Sequence, residues 1–473
     1  MTVFFPSCLL SMFLKALLGV VAGVWLLLGL LTAAVTARYD ASQGTLPPPL
    51  LLVSFDGFRA DYLKKFPMIN LKRFYSQGVL VEELNNIFIT KTFPNHYTLV
   101  TGLYAESHGI VSSDMYDPLS RKHFTLVNDT DPMWWSQAEP LWVTAQRYGY
   151  KTATAMWPGS DAINRTGTYF LPYNQHTTFK ERLGSLIKWI EGNDEEEGVM
   201  FAALYWEEPD MSGHKFGPDN TTAMSSALKE VDDSIGLLMS ELEQTGLWGR
   251  INVVITSDHG MAQCSPDRVI RLDDCLHPDN YTALDLSPVA SIIPLTDPEA
   301  VYALLKKCHP RMVAYLKKDI PARLHYKNNN RIQPILLIAD EGWTIIQRGN
   351  KIQKLGDHGY DNLLPSMHPF MAASGPSFRQ SYKMKTLQSV DLYPLMCYLL
   401  QIPAQPNNGT LSNAKCLLVT AVSGEGLLAV SLVVGMILFI VTVAVLFRYM
   451  RGRRHLRSFQ RLQMSDDIAP LLD

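Results

Sequence analysis

Two short segments far apart in the chain each set a carboxylate beside an imidazole: Asp210-Met211-Ser212-Gly213-His214 and Thr256-Ser257-Asp258-His259-Gly260. Oxygen and nitrogen donors in this mixture suit a borderline-soft ion such as zinc. Asp56, in Val53-Ser54-Phe55-Asp56-Gly57, and His358, in Gly356-Asp357-His358-Gly359-Tyr360, add further donors, and Thr92, in Lys91-Thr92-Phe93-Pro94-Asn95-His96, adds a hydroxyl. Taken singly, each is an ordinary polar residue. Asp210 and His214 are spaced to share a helical face, but such pairs are common. Adjacent residues such as Asp258 and His259 usually point apart unless a strand end is irregular. His358 suits a solvated loop, and Thr92, just ahead of Pro94, suits a helix N-cap. As a set of seven donors they furnish two sites of three or four ligands each, which is what zinc takes. The chemistry of such a paired site is phosphoryl transfer. Metal coordination would deprotonate the threonine hydroxyl, otherwise a poor nucleophile, and a helix starting there would present backbone N–H groups to a phosphate.

These residues need elements that bring them together. Pro49–Ser54, Val199–Tyr205 and Ile251–Thr256 are continuous apolar runs rather than alternating ones. Strands of that kind are covered on both faces, so the expected fold class is α/β, a mostly parallel central sheet with helices on both faces. Phe179–Glu191 and Ala223–Gly246 have amphipathic helical spacing and end at Gly192 and Gly246. Asp56, the Glu207–Asp210 stretch and Asp258-His259 each follow one of the strands, and ligands in open α/β sheets bind beyond the carboxyl ends of strands. Residues 320–376, rich in Gly, Asn and Pro, are expected to form a loop-rich lobe that carries His358.

The chain has 473 residues and a formal net charge of −3. With no basic surplus to gather phosphate backbones, binding to nucleic-acid polymers is not expected. Residues 1–37 are nearly all apolar and are expected to be a signal peptide, cleaved near Ala37, or an uncleaved signal anchor. A second apolar run, 426–447, is long enough to span a bilayer as a C-terminal transmembrane helix. Arg448, Arg451, Arg453, Arg454 and Arg457 flank it, the pattern of a cytoplasmic side. The expected organisation is a catalytic domain over 38–402, a stalk over 403–425, the membrane helix and a cytoplasmic tail over 448–473. That tail contains Asp467-Ile468-Ala469-Pro470-Leu471-Leu472, which resembles an acidic dileucine signal but also suits a disordered tail. The result is a single-pass type I cell-membrane protein with its catalytic domain outside. Sequons at Asn128, Asn164, Asn220, Asn280 and Asn408 agree with passage through the secretory pathway. Of six cysteines, Cys8 lies in the first apolar run, and the other five form no C-x-x-C pair of the zinc-finger type.

The stretches Ser54-Phe55-Asp56-Gly57-Phe58-Arg59, Thr90-Lys91-Thr92-Phe93-Pro94-Asn95-His96-Tyr97, Tyr205-Trp206-Glu207-Glu208-Pro209-Asp210, Thr256-Ser257-Asp258-His259-Gly260-Met261 and Gly356-Asp357-His358-Gly359-Tyr360-Asp361-Asn362 together resemble the ecto-nucleotide pyrophosphatase/phosphodiesterase family of the alkaline phosphatase superfamily. The likeness runs from about Pro47 to Cys416 and extends to Trp134-Trp135, Met156-Trp157-Pro158-Gly159 and Pro406-Asn407-Asn408-Gly409-Thr410. It implies an alkaline phosphatase-like fold and two Zn2+ ions, one held by Asp210, His214 and His358, the other by Asp56, Thr92, Asp258 and His259. It also implies that Thr92 attacks phosphorus and carries a nucleotidyl ester, that Phe93 and Tyr173 sandwich a base, and that Cys275 pairs with Cys308. The implied substrates are diadenosine polyphosphates, the triphosphate above all, cleaved to AMP and ADP. The chain departs from the family pattern at Ser113, where an asparagine donates to a phosphate oxygen.

Two other functions remain open to the sequence: hydrolysis of a choline lipid, with Glu207 and Glu208 offering negative charge, and a catalytically silent membrane ectodomain. A sulfatase is disfavoured, because the C-x-P-x-R context of its modified cysteine is missing around Thr92.

Overall fold

A computed structural model describes residues 46–125, 130–349, 354–419 and 433–452. The expected N-terminal signal segment, Asn128 and the tail beyond Gly452 lie outside the described residues.

The body, Pro47–Val419, is built on an eight-stranded sheet. In chain order its strands are β1 (Leu50–Phe55), β2 (Val79–Asn85), β3 (Thr152–Ala155), β4 (Tyr169–Leu171), β5 (Phe201–Trp206) and β6 (Asn252–Thr256). A smaller antiparallel sheet follows, made of β7 (Tyr281–Leu284), β8 (Val289–Pro294), β9 (Met312–Leu316) and β10 (Ile335–Ala339). β11 (Met371–Ser374) and β12 (Tyr382–Gln388) then return to the large sheet, whose order is β12-β2-β11-β6-β1-β5-β3-β4. Only β11 runs against its neighbours there. The expected mostly parallel sheet is therefore present, and the three apolar runs form its centre, β6-β1-β5.

The strands lack polar alternation because both faces are covered. Leu50 and Leu52 enter one core while Leu51, Val53 and Phe55 enter the other. The second core is closed by two helices, α3 (Phe179–Glu191) and α5 (Thr221–Gln244). α3 contributes Phe179, Leu183, Leu186, Ile187 and Ile190, a stripe at helical spacing. It starts with a capping box from Thr178 and Glu181 and stops at Gly192. The first core is closed by α2 (Thr92–Thr101) and α6 (Leu392–Leu399), while α1 (Ile69–Ser76) adds Leu71 and Phe74 to the second and α4 (Asp210–Phe216) lies between β5 and α5 in the chain.

Two expectations change. The 320–376 segment is not loop throughout: Ile335–Ala339 is a fully buried strand whose alternate residues serve two different cores, and Met371–Ser374 joins the large sheet. Surrounding Gly, Asn and Pro hid both. The first part of the expected 403–425 stalk packs on the body, because Ala414, Leu417 and Leu418 are buried in its core and Leu418 bridges to Phe378. Val433–Gly452 is helical, with a mean hydropathy of 2.3, and is long and apolar enough to cross a membrane. It runs on through Arg448 and Arg451, since arginine favours helix and loss of apolarity does not end one.

Candidate metal centre and nucleotide cavity

The carboxyl ends of the three central strands coincide. Phe55 of β1 pairs with Trp206 of β5, and Ser54 with Thr256 of β6. Asp56, Asp210 and Asp258 follow these ends closely, and the Asp210 N–H donates to the Asp56 carbonyl at 3.0 Å. Gly57 permits this closeness. Its φ is +68°, and a Cβ there would meet Asp210 Cβ at 2.8 Å.

One cluster contains Asp56, Asp258, His259 and Thr92. His259 Nε2 lies 3.3 Å from Asp56 Oδ1, 3.0 Å from Asp258 Oδ2 and 3.2 Å from Thr92 Oγ1. The adjacent residues Asp258 and His259 do converge, because the chain past β6 is irregular. Of the two readings of Thr92, helix cap and metal-held nucleophile, the first is not seen. Thr92 is the first residue of α2, Lys91 is the N-cap, and no side chain caps the helix. The hydroxyl is therefore directed to the donor cluster instead of to its own helix. The second cluster contains Asp210, His214 and His358. Asp210 meets His214 through Oδ2 at 3.3 Å and His358 through Oδ1 at 3.5 Å. The two clusters adjoin, with the His259 and His358 rings stacked at 3.5 Å.

Ring orientation tells which nitrogens face the cavity. Nδ1 of His259 lies 2.8 Å from the Gly260 carbonyl, that of His214 2.8 Å from the Gly356 carbonyl, and that of His358 2.9 Å from the Thr90 carbonyl. A carbonyl only accepts, so each Nδ1 carries the hydrogen and each Nε2 keeps a free lone pair. This is how metal-ligating histidines are held. Asp56 Oδ1 and Asp210 Oδ1 are buried, and no hydrogen-bond donor reaches them among the described residues. Burial, then the charges of Asp258 and Asp210, pushes the Asp56 carboxyl well above its usual range, and burial pushes Asp258 up to about 8. Burial likewise holds His259 and His358 well below the ordinary imidazole value. Packed carboxylates and neutral imidazoles of this kind become mutually compatible around divalent cations, so the donor set fits two such ions.

Around the ligands stands a supporting set that the motifs did not single out. The Tyr205 hydroxyl donates to Asp56 Oδ2 at 2.6 Å. His96, fully buried, spans Ser54 Oγ at 2.8 Å, the Thr92 carbonyl at 2.8 Å and Asp258 Oδ2 at 3.2 Å. Asp357 lies 3.9 Å from His214 Nδ1 and accepts from Ser287.

The clusters open into a cavity of about 840 Å³. All three expected substrate contacts, Phe93, Ser113 and Tyr173, line it. Phe124 and Trp135 line it too, packed on Phe93 at ring distances of 5.6 and 6.1 Å. Lys91 reaches the wall but is ion-paired with Asp285. Glu207 and Glu208, which could have offered charge to a choline group, are engaged. Glu207 accepts from Arg182 at 2.8 Å, and Glu208 accepts from Ser212. Cys275 and Cys308 form a disulfide, and Cys264, Cys397 and Cys416 are free. Asn164 and Asn408 are exposed, and Asn220 caps α5. Asn280 is half-buried, its side-chain amide donating to the His277 carbonyl.

Residues 50–361 match the family described as type I phosphodiesterase/nucleotide pyrophosphatase. The chain is 54% identical to the bis(5'-adenosyl)-triphosphatase enpp4 of Xenopus laevis, over 90% of this chain and 94% of that protein. It is 52% identical to the bis(5'-adenosyl)-triphosphatase ENPP4 of Homo sapiens, over 94% and 98%. Among solved structures it is similar to the inactive form of murine ectonucleotide pyrophosphatase/phosphodiesterase 5 in complex with AMP. The TM-score there is 0.76 and the identity 45%, covering 79% of this chain and 100% of that one.

Proposed function

The chain belongs to the type I phosphodiesterase/nucleotide pyrophosphatase family, and from that premise we propose that it is a two-zinc hydrolase of diadenosine polyphosphates, acting through a threonyl-nucleotide ester. The observation that carries this reading is Thr92 Oγ1, 3.2 Å from His259 Nε2, at the junction of the donor clusters and an aromatic-lined cavity. The relatives named as bis(5'-adenosyl)-triphosphatases support diadenosine triphosphate as substrate.

Asp56, Thr92, Asp258 and His259 would hold one zinc and Asp210, His214 and His358 the other, and when bound the ions would supply the Lewis acidity that favours the threonine alkoxide and offsets charge on phosphate oxygens. The chain's own groups account for the rest. His96 accompanies the Thr92 carbonyl and Asp258 together, so it fixes the nucleophile relative to its neighbours. Phe93 and Tyr173 stack an adenine, worth about 1–3 kcal/mol with little choice among bases. N–H groups at the start of α2 face the phosphate. Thr92 Oγ forms a bond to the adenosine-bearing phosphorus as the bond to the bridging oxygen breaks, releasing ADP. Water then forms a new bond to that phosphorus, the Thr92 ester bond breaks, AMP leaves and Thr92 recovers its proton. Ser113, shorter than asparagine, reaches the phosphate through water. The body faces the exterior, with Val433–Gly452 crossing the membrane and the arginines on the cytoplasmic side.

Incubation of the purified chain with diadenosine triphosphate is expected to give AMP and ADP in equal amounts, with loss of turnover on chelation and recovery with zinc. A zinc-loaded, folded chain that leaves the dinucleotide intact overturns the reading and favours a silent ectodomain.

A further inference from the structure

Part of the cavity wall lies outside the large sheet, on three short segments: the stretch ending at Ser113, the hairpin of Met115–Asp117 and Lys122–Phe124, and the short helix Pro132–Trp135. Such segments hold little order of their own, so something must fix their spacing. Arg331, 3% exposed, sits at their junction. Its Nε donates to Asp117 Oδ2 at 3.1 Å. Nη1 donates to the Gly109 carbonyl at 2.7 Å and the Trp134 carbonyl at 2.8 Å, and Nη2 to the Met133 carbonyl at 3.1 Å. The guanidinium also lies over the Trp134 ring at 4.9 Å.

Neighbouring contacts repeat the pattern. The Tyr326 hydroxyl donates to the Val111 carbonyl at 2.7 Å, the Gln333 amide to the Tyr116 carbonyl at 2.9 Å, and the Lys327 and Asn328 N–H groups to Glu106. The segment 326–333 leads directly into β10, whose residues are buried on both faces. A rigid strand of the smaller sheet thus delivers a brace to the loops of the nucleotide cavity. Asp117 carries the hold onward, because its Oδ1 accepts from Leu119 and Ser120 and shapes the hairpin turn.

We propose that Arg331 is a positioning residue for the nucleoside: it sets the separation between Ser113, Phe124 and Trp135, and through the last two the attitude of the Phe93 ring. It does not line the cavity. The proposal rests on the reading of the cavity as a nucleotide site. A planar five-donor group is required, because its acceptors diverge over three segments; a lysine ammonium is a compact point that cannot span them. Loosening the brace displaces the base-binding wall and leaves the donor clusters, which are held by the sheet, where they are.

The test compares two substrates with one leaving group, the 4-nitrophenyl ester of adenosine 5'-monophosphate and 4-nitrophenyl methyl phosphate, on the zinc-loaded full chain. With Arg331→Lys, KM for the nucleotide ester is expected to rise about tenfold or more, while kcat/KM for the methyl ester stays within about twofold. Proportional loss on both substrates, as from general destabilisation, overturns the proposal; so does no change on either. AMP affinity is measured separately on Thr92→Ala chains with and without Arg331→Lys, and equal affinities also overturn it. That second arm needs no turnover, so failure of the parent chain to hydrolyse either ester counts against the proposed reaction and leaves the question of Arg331 to be decided by AMP. Should Arg331→Lys not fold, Asp117→Asn, which removes charge but keeps an acceptor, is expected to weaken AMP in the same direction by a smaller factor, and unchanged AMP affinity there overturns the proposal.

Discussion

His214 Nε2 and His358 Nε2 face each other at 3.1 Å, although the hydrogen of each ring is committed on the other side to a backbone carbonyl. Two lone pairs at that distance repel, and the arrangement becomes favourable when both can donate to one cation. Asp210, which meets one ring with each of its oxygens, adds the negative charge that such a cation seeks. The carbonyls of Gly356 and Thr90 thus fix the orientation of both imidazoles.

Replacing Thr92 with alanine is expected to lower kcat for diadenosine triphosphate by about 10³-fold or more, the scale of losing a nucleophile whose removal leaves only binding and electrostatics. AMP affinity is expected to change little, because the aromatic wall is untouched. Turnover and equilibrium binding measured on the same preparation check this, and a kcat within tenfold of the parent would remove Thr92 from the chemistry.

The convergence of Asp56, Asp210, Asp258 and His259 was legible because these residues follow closely on the ends of three apolar strands, where residue type and spacing carry the chemistry. The three central strands were legible for a related reason: a strand covered on both faces must be apolar throughout, as Leu50–Phe55 is. What the sequence did not reveal depends on contacts between distant segments. Arg331 looks like any loop arginine until Gly109, Asp117 and Trp134 are brought to it, more than 190 residues away in the chain. His96 reads as part of a motif, yet its link between Thr92 and Asp258 exists only once the start of α2 meets the chain just past β6. Ile335–Ala339 was obscured by its neighbours, and the end of the body was set too early because the short apolar stretch Cys416–Leu418 gives no periodicity to read.

Metal removal and pH are linked through Asp56 and Asp258, both raised chiefly by burial; Asp258 shows the sign. Its folded-state pKa, about 8 without a cation, exceeds the ordinary 3.8, so the folded chain holds a proton that the unfolded chain gives up. Stability from this source is full at low pH and is lost as pH rises toward 8. His259 and His358 act in the opposite sense, since burial lowers their pKa and their penalty appears as pH falls through about 6.5. Between pH 6.5 and 8, therefore, the carboxylate effect stands alone. Tm of the chelated chain is expected to fall over that window and Tm of the zinc-loaded chain to hold. Parallel curves with and without chelator would contradict the coupling.

Ser113→Asn supplies a longer donor at the cavity wall. Losing one donor to a transition-state oxygen costs about 10²–10³ in rate, and a water-bridged serine retains part of that. The substitution is expected to raise kcat by about 10-fold or more on the same principle, with zinc content unchanged. An unaltered kcat would show that Ser113 does not face the reacting phosphate.

Gly57 tests whether the two clusters depend on one backbone turn. Its φ of +68° disfavours any side chain, at about 1–2 kcal/mol for left-handed backbone. A methyl group would also meet Asp210 Cβ at 2.8 Å and Cα at 2.9 Å, and both of these are rigid atoms. Relief requires Asp210 to move away from β1, which breaks its N–H contact with the Asp56 carbonyl and withdraws the carboxylate from His214 and His358. Gly57→Ala is therefore expected to lower Tm and, separately, to lose metal from the Asp210 cluster before the Asp56 cluster, giving close to one zinc per chain where the parent binds two. Metal analysis after gel filtration reads this directly. Two zinc ions retained per chain, with only a lowered Tm, would mean that the clusters adjust independently and that Gly57 matters for folding alone.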